Sequence, residues 1–67
     1  MDKMKRIWKS RDLHLASREY DTGLFVHTLY HHDDPVARVI VDTAEDTTES
    51  SGNDLLVREL ENYIFSL

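Results

Sequence analysis

The side chains best suited to chemistry in this sequence are imidazoles and carboxylates, and they gather in one short stretch, His27 and then His31-His32-Asp33-Asp34. Both groups are good ligands for zinc, nickel or manganese, and an imidazole beside a hydroxyl can act as a general base. The spacing argues against one shared centre. In an extended strand His27 and His31 point to the same side but lie roughly 13 Å apart, too far to hold a single ion. His31 could converge with Asp33 or Asp34 in a turn, and His14 could join only if its own segment lay alongside. A hydrated turn, whose Asp carboxylates bond to nearby backbone, explains the same residues without an ion. No metal or other cofactor is therefore expected.

Other catalytic patterns are missing. The chain has no Cys, no Gly-x-Ser-x-Gly elbow, no phosphate-binding loop and no zinc-protease helix. The carboxylate pairs Asp33-Asp34 and Glu45-Asp46 lie in polar stretches that lack the apolar surroundings of a catalytic acid. A chain of 67 residues also leaves little room for an enclosed pocket. These features point away from an enzyme.

Charge is more informative. The net charge is −5, but it is unevenly spread. Residues 1–11 carry Lys3, Lys5, Arg6, Lys9 and Arg11 against Asp2, whereas the remainder sets its many acids against Arg18, Arg38 and Arg58. This describes a basic arm on an acidic body. The body repels bare nucleic acid and attracts basic protein surfaces. Asp42, Glu45, Asp46, Glu49 and Asp54 follow one another with no basic residue between Val39 and Val57. Solvation alone can account for such a run. Carboxylates along an edge can also stand in for the phosphates of a nucleic-acid strand and dock on a basic patch.

The elements that position these groups are legible in part. Leu24–Tyr30 and Val36–Thr43 are rich in β-branched and aromatic residues and flank a polar turn that holds the only Pro. They predict a β-hairpin. A four-residue loop at 32–35 would pair His31 with Val36, Leu29 with Arg38, His27 with Ile40 and Phe25 with Asp42. Leu24, Val26, Thr28 and Tyr30 would then share the core face with Ala37, Val39, Val41 and Thr43. The opposite face would present Phe25, Leu29, Val36 and Ile40 as an apolar patch that needs a cover or a partner.

Residues 12–20 fit a strand or a helix stripe, and Asp21-Thr22-Gly23 favours the strand by supplying a tight turn. Residues 1–11 fit a short amphipathic helix or an extended fourth strand, with Trp8 packed over one end of the core. Residues 44–53 read as a polar, acidic loop. Residues 54–67 predict a helix capped by Ser51, Asn53 or Asp54, with Leu56, Leu60, Tyr63, Ile64 and Leu67 on its buried stripe and Val57 at the margin.

The fold expected is α+β: a three-stranded antiparallel meander over 12–43 with a C-terminal helix on one face, in a single domain. The function expected is a small acidic protein-binding module. It would act as an inhibitor or adaptor on a basic surface of a nucleic-acid-binding partner, through Asp42, Glu45, Asp46 and Glu49 and through Phe25, Leu29 and Ile40. An unpartnered apolar face and a small core point further to a homodimer. No apolar run approaches the roughly 20 residues of a membrane span, and the basic start lacks the apolar segment of a signal peptide, so a cytoplasmic protein is expected. The competing readings are nucleic-acid binding through residues 1–11 and a His/Asp metal-responsive module.

Overall fold

A computed structural model describes residues 3–66. Helix α1 (Lys3–Ser10) leads into strands β1 (Leu13–Tyr20), β2 (Leu24–His31), β3 (Asp34–Asp42) and β4 (Thr47–Gly52), and helix α2 (Asp54–Phe65) closes the chain. The strands form one antiparallel sheet in the order β1-β2-β3-β4. The architecture is thus α+β with a C-terminal helix, as expected, but the sheet has four strands rather than three.

The fourth strand lies in the stretch expected to be a loop. Thr47–Gly52 carries no apolar side chain and is exposed throughout, so burial gives no sequence signal for it. Its stability comes from the ladder with Ala37–Asp42. Without it β3, apolar on both faces, would present an open edge, and short polar edge strands are the usual cover for such an edge. Ser50 reinforces the strand by donating to Glu61 of α2 at 2.5 Å.

Residues 3–10 settle as a helix. Met4 and Trp8, one turn apart, face inward, and Arg11 N–H bonds to the Trp8 carbonyl at 2.9 Å to tighten the last turn. Asp12, at φ 61°, then reverses the chain into β1. Asn53 caps α2 by accepting from Leu56 N–H at 3.1 Å, and Leu56, Val57, Leu60, Tyr63 and Ile64 pack inward as their spacing predicts. Leu67, expected on the same stripe, and Met1 and Asp2 of the basic segment lie outside the described residues.

Both helices cover the same side of the sheet, α1 against β1 and α2 against β3 and β4. The core between the layers holds Trp8, Leu13, Leu29, Ala37, Val39 and Leu60. Each of its large side chains contributes on the order of 1.5–3 kcal/mol of burial, before chain entropy is subtracted. Trp8 is wedged between the helices. Its ring meets Tyr63 at 5.3 Å between centroids, and its Nε1–H donates to Glu59 Oε1 at 3.0 Å. Glu59 also pairs with Arg11 at 3.2 Å.

The hairpin is present with a different register. Its turn is His32-Asp33 rather than residues 32–35, so Leu29 pairs with Ala37, His27 with Val39, Val26 with Ile40 and Phe25 with Val41. A bulge lies at the step from Leu29/Ala37 to Tyr30/Pro35, where Val36 is the extra residue. Pro35 is accepted within β3 because β4 reaches only as far as Ala37, and Pro is tolerated where no second ladder runs. The consequence reverses β2. Leu29 is 0% exposed beneath the helices, with Phe25 toward the end of that side, whereas Val26 and Tyr30 lie on the uncovered side.

Candidate functional site

The side of the sheet away from the helices is left uncovered by both of them. Alternation and register place two rows across its centre: Ala16, Thr28, Arg38 and Ser51, then Arg18, Val26, Ile40 and Glu49. Tyr20 and Leu24 lie beyond the second row, and His14 and Tyr30 beyond the first. Between them is a shallow concavity of ≈ 490 Å³ with an apolar floor and two arginines in its wall.

The face is organised by its long side chains. The Arg38 guanidinium lies across Thr28, donating from Nε to Thr28 Oγ1 at 3.3 Å, and Thr28 is only 5% exposed although no helix covers it. His14 stacks on Tyr30 with 5.4 Å between ring centres. Tyr20 stays 47% exposed at the opposite corner. Aromatic rings and arginine stems cover apolar area while keeping a polar tip in water, which is the composition that recurs at the centres of protein interfaces.

Of the apolar residues expected on the exposed face, Ile40 lies there. Leu29, Phe25 and Val36 do not: Leu29 is sealed in the core, Phe25 shares its side of β2, and Val36, the extra residue of the bulge, packs against the core. A buried side chain has no surface to offer a partner, so Leu29 is withdrawn from the partner-binding set. The residues that take the place of Phe25 and Leu29 are Val26, Tyr20 and Tyr30, with Arg18 and Arg38. The parity of β3 was readable, because Ala37, Val39 and Val41 separate cleanly from Arg38. The parity of β2 was not, since both of its faces are largely apolar and the bulge at Val36 removes the turn as a guide.

The predicted carboxylates gather at one end of the sheet. Thr43 ties the β3–β4 turn to the β1–β2 turn by donating its N–H and Oγ1–H to the Gly23 carbonyl at 2.8 and 2.9 Å. This brings Glu19 and Asp21 to the same end as Asp42, Glu45 and Asp46. Asp42 is largely engaged in holding its turn, for its Oδ1 accepts from Ala44 N–H at 3.0 Å and Glu45 N–H at 3.1 Å. Glu45 and Asp46 are exposed, and Glu49 stands on the open face beside Ile40. Like charges concentrated at one end strengthen the field there and steer a basic surface toward it.

The histidines divide. His27 lies on the helix-covered side, opposite Ser17, with Ser17 Oγ 2.8 Å from its Nδ1. Burial pushes the His27 imidazole below its ordinary value by penalising the cation. Ser17 and His27 resemble a nucleophile and base, but among the described residues no carboxylate pairs with the ring to orient it. Direct cross-strand packing accounts for the contact. His31 and His32 sit at the far end of β2 with their rings in edge contact, 4.4 Å between centres. Lys5 of α1 and Arg11 just after it belong to a docked segment rather than a free arm, with Lys5 over the Tyr63 ring and Arg11 on Glu59.

Comparison with protein-family models, with curated proteins and with solved structures returned no significant match for this chain. Among the described residues no helix is long and apolar enough to cross a membrane.

Proposed function

We propose that the protein is a non-catalytic protein-binding module, an inhibitor or adaptor, that docks through the open face of its sheet. The observation that carries this reading is the uncovered concavity around Val26 and Ile40, flanked by Tyr20, Tyr30, Arg18 and Arg38. A protein partner would seat an apolar side chain on the Val26–Ile40 floor. Tyr20 and Tyr30 would act as anchors that lose little entropy on binding. Arg18 and Arg38 suit carboxylates or backbone carbonyls of that partner. Glu45, Asp46 and Glu49 at the acidic end would meet basic residues on it, as a nucleic-acid-binding protein would supply, and raise the rate of encounter. Shared docking on one face would also suit a second copy of this chain.

The test is site-specific photo-crosslinking in the native host, with a photoreactive phenylalanine analogue at Tyr20, at Tyr30 or at the exposed helix position Leu55. Adducts with one discrete protein from positions 20 and 30, lost in a Val26→Glu/Ile40→Glu variant that keeps its circular dichroism, support the reading. Reversing Glu45, Asp46 and Glu49 to Lys should then slow capture most at low salt. Adducts that form at Leu55 and not at 20 or 30 would place the interface on the helices and refute it.

A further inference from the structure

The end of the sheet opposite the acidic turns carries a second, separate constellation. Leu13 pairs with His31, so the turn between α1 and β1 lies beside the turn between β2 and β3. This brings Asp12 next to His31 and His32, residues about twenty apart in sequence that no local spacing rule connects. One ligand atom from each of the three lies within 4.8 Å of the others. Asp12 and His32 both adopt the left-handed backbone region, at φ 61° and 58°, so each side chain leaves its turn at an angle that a continuing strand would not give.

We propose that Asp12, His31 and His32 form a binding site for a late first-row divalent cation, of which zinc is the best fit. Two imidazoles and a carboxylate, with no thiolate, suit zinc, nickel or cobalt and give no reason to prefer magnesium or calcium, which favour all-oxygen sets. Bonds of about 2.0–2.1 Å in a tetrahedral arrangement place ligand atoms about 3.3 Å apart. The three ligand atoms, within 4.8 Å of one another on exposed side chains, would draw together to that spacing around the ion. Arg11, the neighbour of Asp12, is paired with Glu59, and Asp33 and Asp34 add negative charge beside the imidazoles. Three protein ligands leave the fourth position to water or to a donor from another molecule. The ion would clip the α1–β1 turn to the β2–β3 turn and so fasten the N-terminal helix to the sheet.

The experiment is calorimetric titration of zinc chloride into the untagged full chain, with backbone amide NMR spectra followed in parallel. Binding of one ion should shift resonances around Asp12–Leu13 and His31–Asp33. Asp12→Asn, His31→Gln and His32→Gln should each weaken it at least tenfold, while His14→Gln, outside the cluster, should leave it unchanged. No binding, binding that survives all three substitutions, or magnesium binding as tightly as zinc would overturn the proposal.

Discussion

The reversal of β2 makes a sharp prediction about two residues three positions apart. Leu29→Ala removes three carbons from a side chain that is 0% exposed between the sheet and both helices. Deletions of this kind cost about 2–5 kcal/mol, because the lost transfer energy is joined by the cavity left behind. A value of about 3 kcal/mol fits a site walled by Trp8, Val39 and Leu60, which cannot collapse freely. For 67 residues the whole stability is about 3–10 kcal/mol, so the loss is a large share of it. At about 4–8 °C per kcal/mol it lowers Tm by about 12–24 °C. Val26→Ala removes two carbons from a half-buried side chain facing water. Half of the usual ~0.8 kcal/mol per methylene gives about 0.8 kcal/mol, with no cavity term. Urea unfolding followed through Trp8 fluorescence measures both variants against the parent. If Val26→Ala costs as much as Leu29→Ala, the face assignment of β2 and everything built on the open surface is wrong.

Two further outcomes follow from particular atoms. Gly52 has φ +117°, and a Cβ there would strike the Val36 carbonyl oxygen and lie 2.8 Å from Ala37 Cα, both backbone atoms of the paired strand. Gly52→Ala should therefore destabilise by about 1–3 kcal/mol, against less than about 0.5 kcal/mol for Ser51→Ala, as read from thermal melts. His27 is held below its ordinary value of about 6.5 by burial, so the unfolded chain binds a proton at pH values where the folded chain does not. Stability from this residue is complete above that value and declines as pH falls through the window beneath it. His27→Gln should flatten the corresponding part of a stability-versus-pH profile; an unchanged slope would assign it to other groups.

Much of the scaffold was legible because it depends on local chemistry. The apolar stripe of α2 read directly from the spacing of Leu56, Leu60, Tyr63 and Ile64, and its cap was narrowed to Ser51, Asn53 or Asp54, of which the structure uses Asn53. The meander of β1, β2 and β3 followed from Asp21-Thr22-Gly23 and from the Val and Ile alternation of β3. The gathering of Asp42, Glu45 and Asp46 at one turn needed only their closeness in sequence.

What lay beyond the sequence depended on pairing between distant segments. β4 is held by backbone bonds to β3 and carries no buried side chain, so hydrophobic pattern is blind to it. The side of β2 that turns inward was settled by the bulge at Val36 and by where both helices rest, because a strand apolar on two faces has no preference of its own. That decision hid Leu29 and exposed Val26. It was likewise the pairing of Leu13 with His31 that set Asp12 beside two imidazoles, a juxtaposition made by the sheet ladder rather than by any motif along the chain.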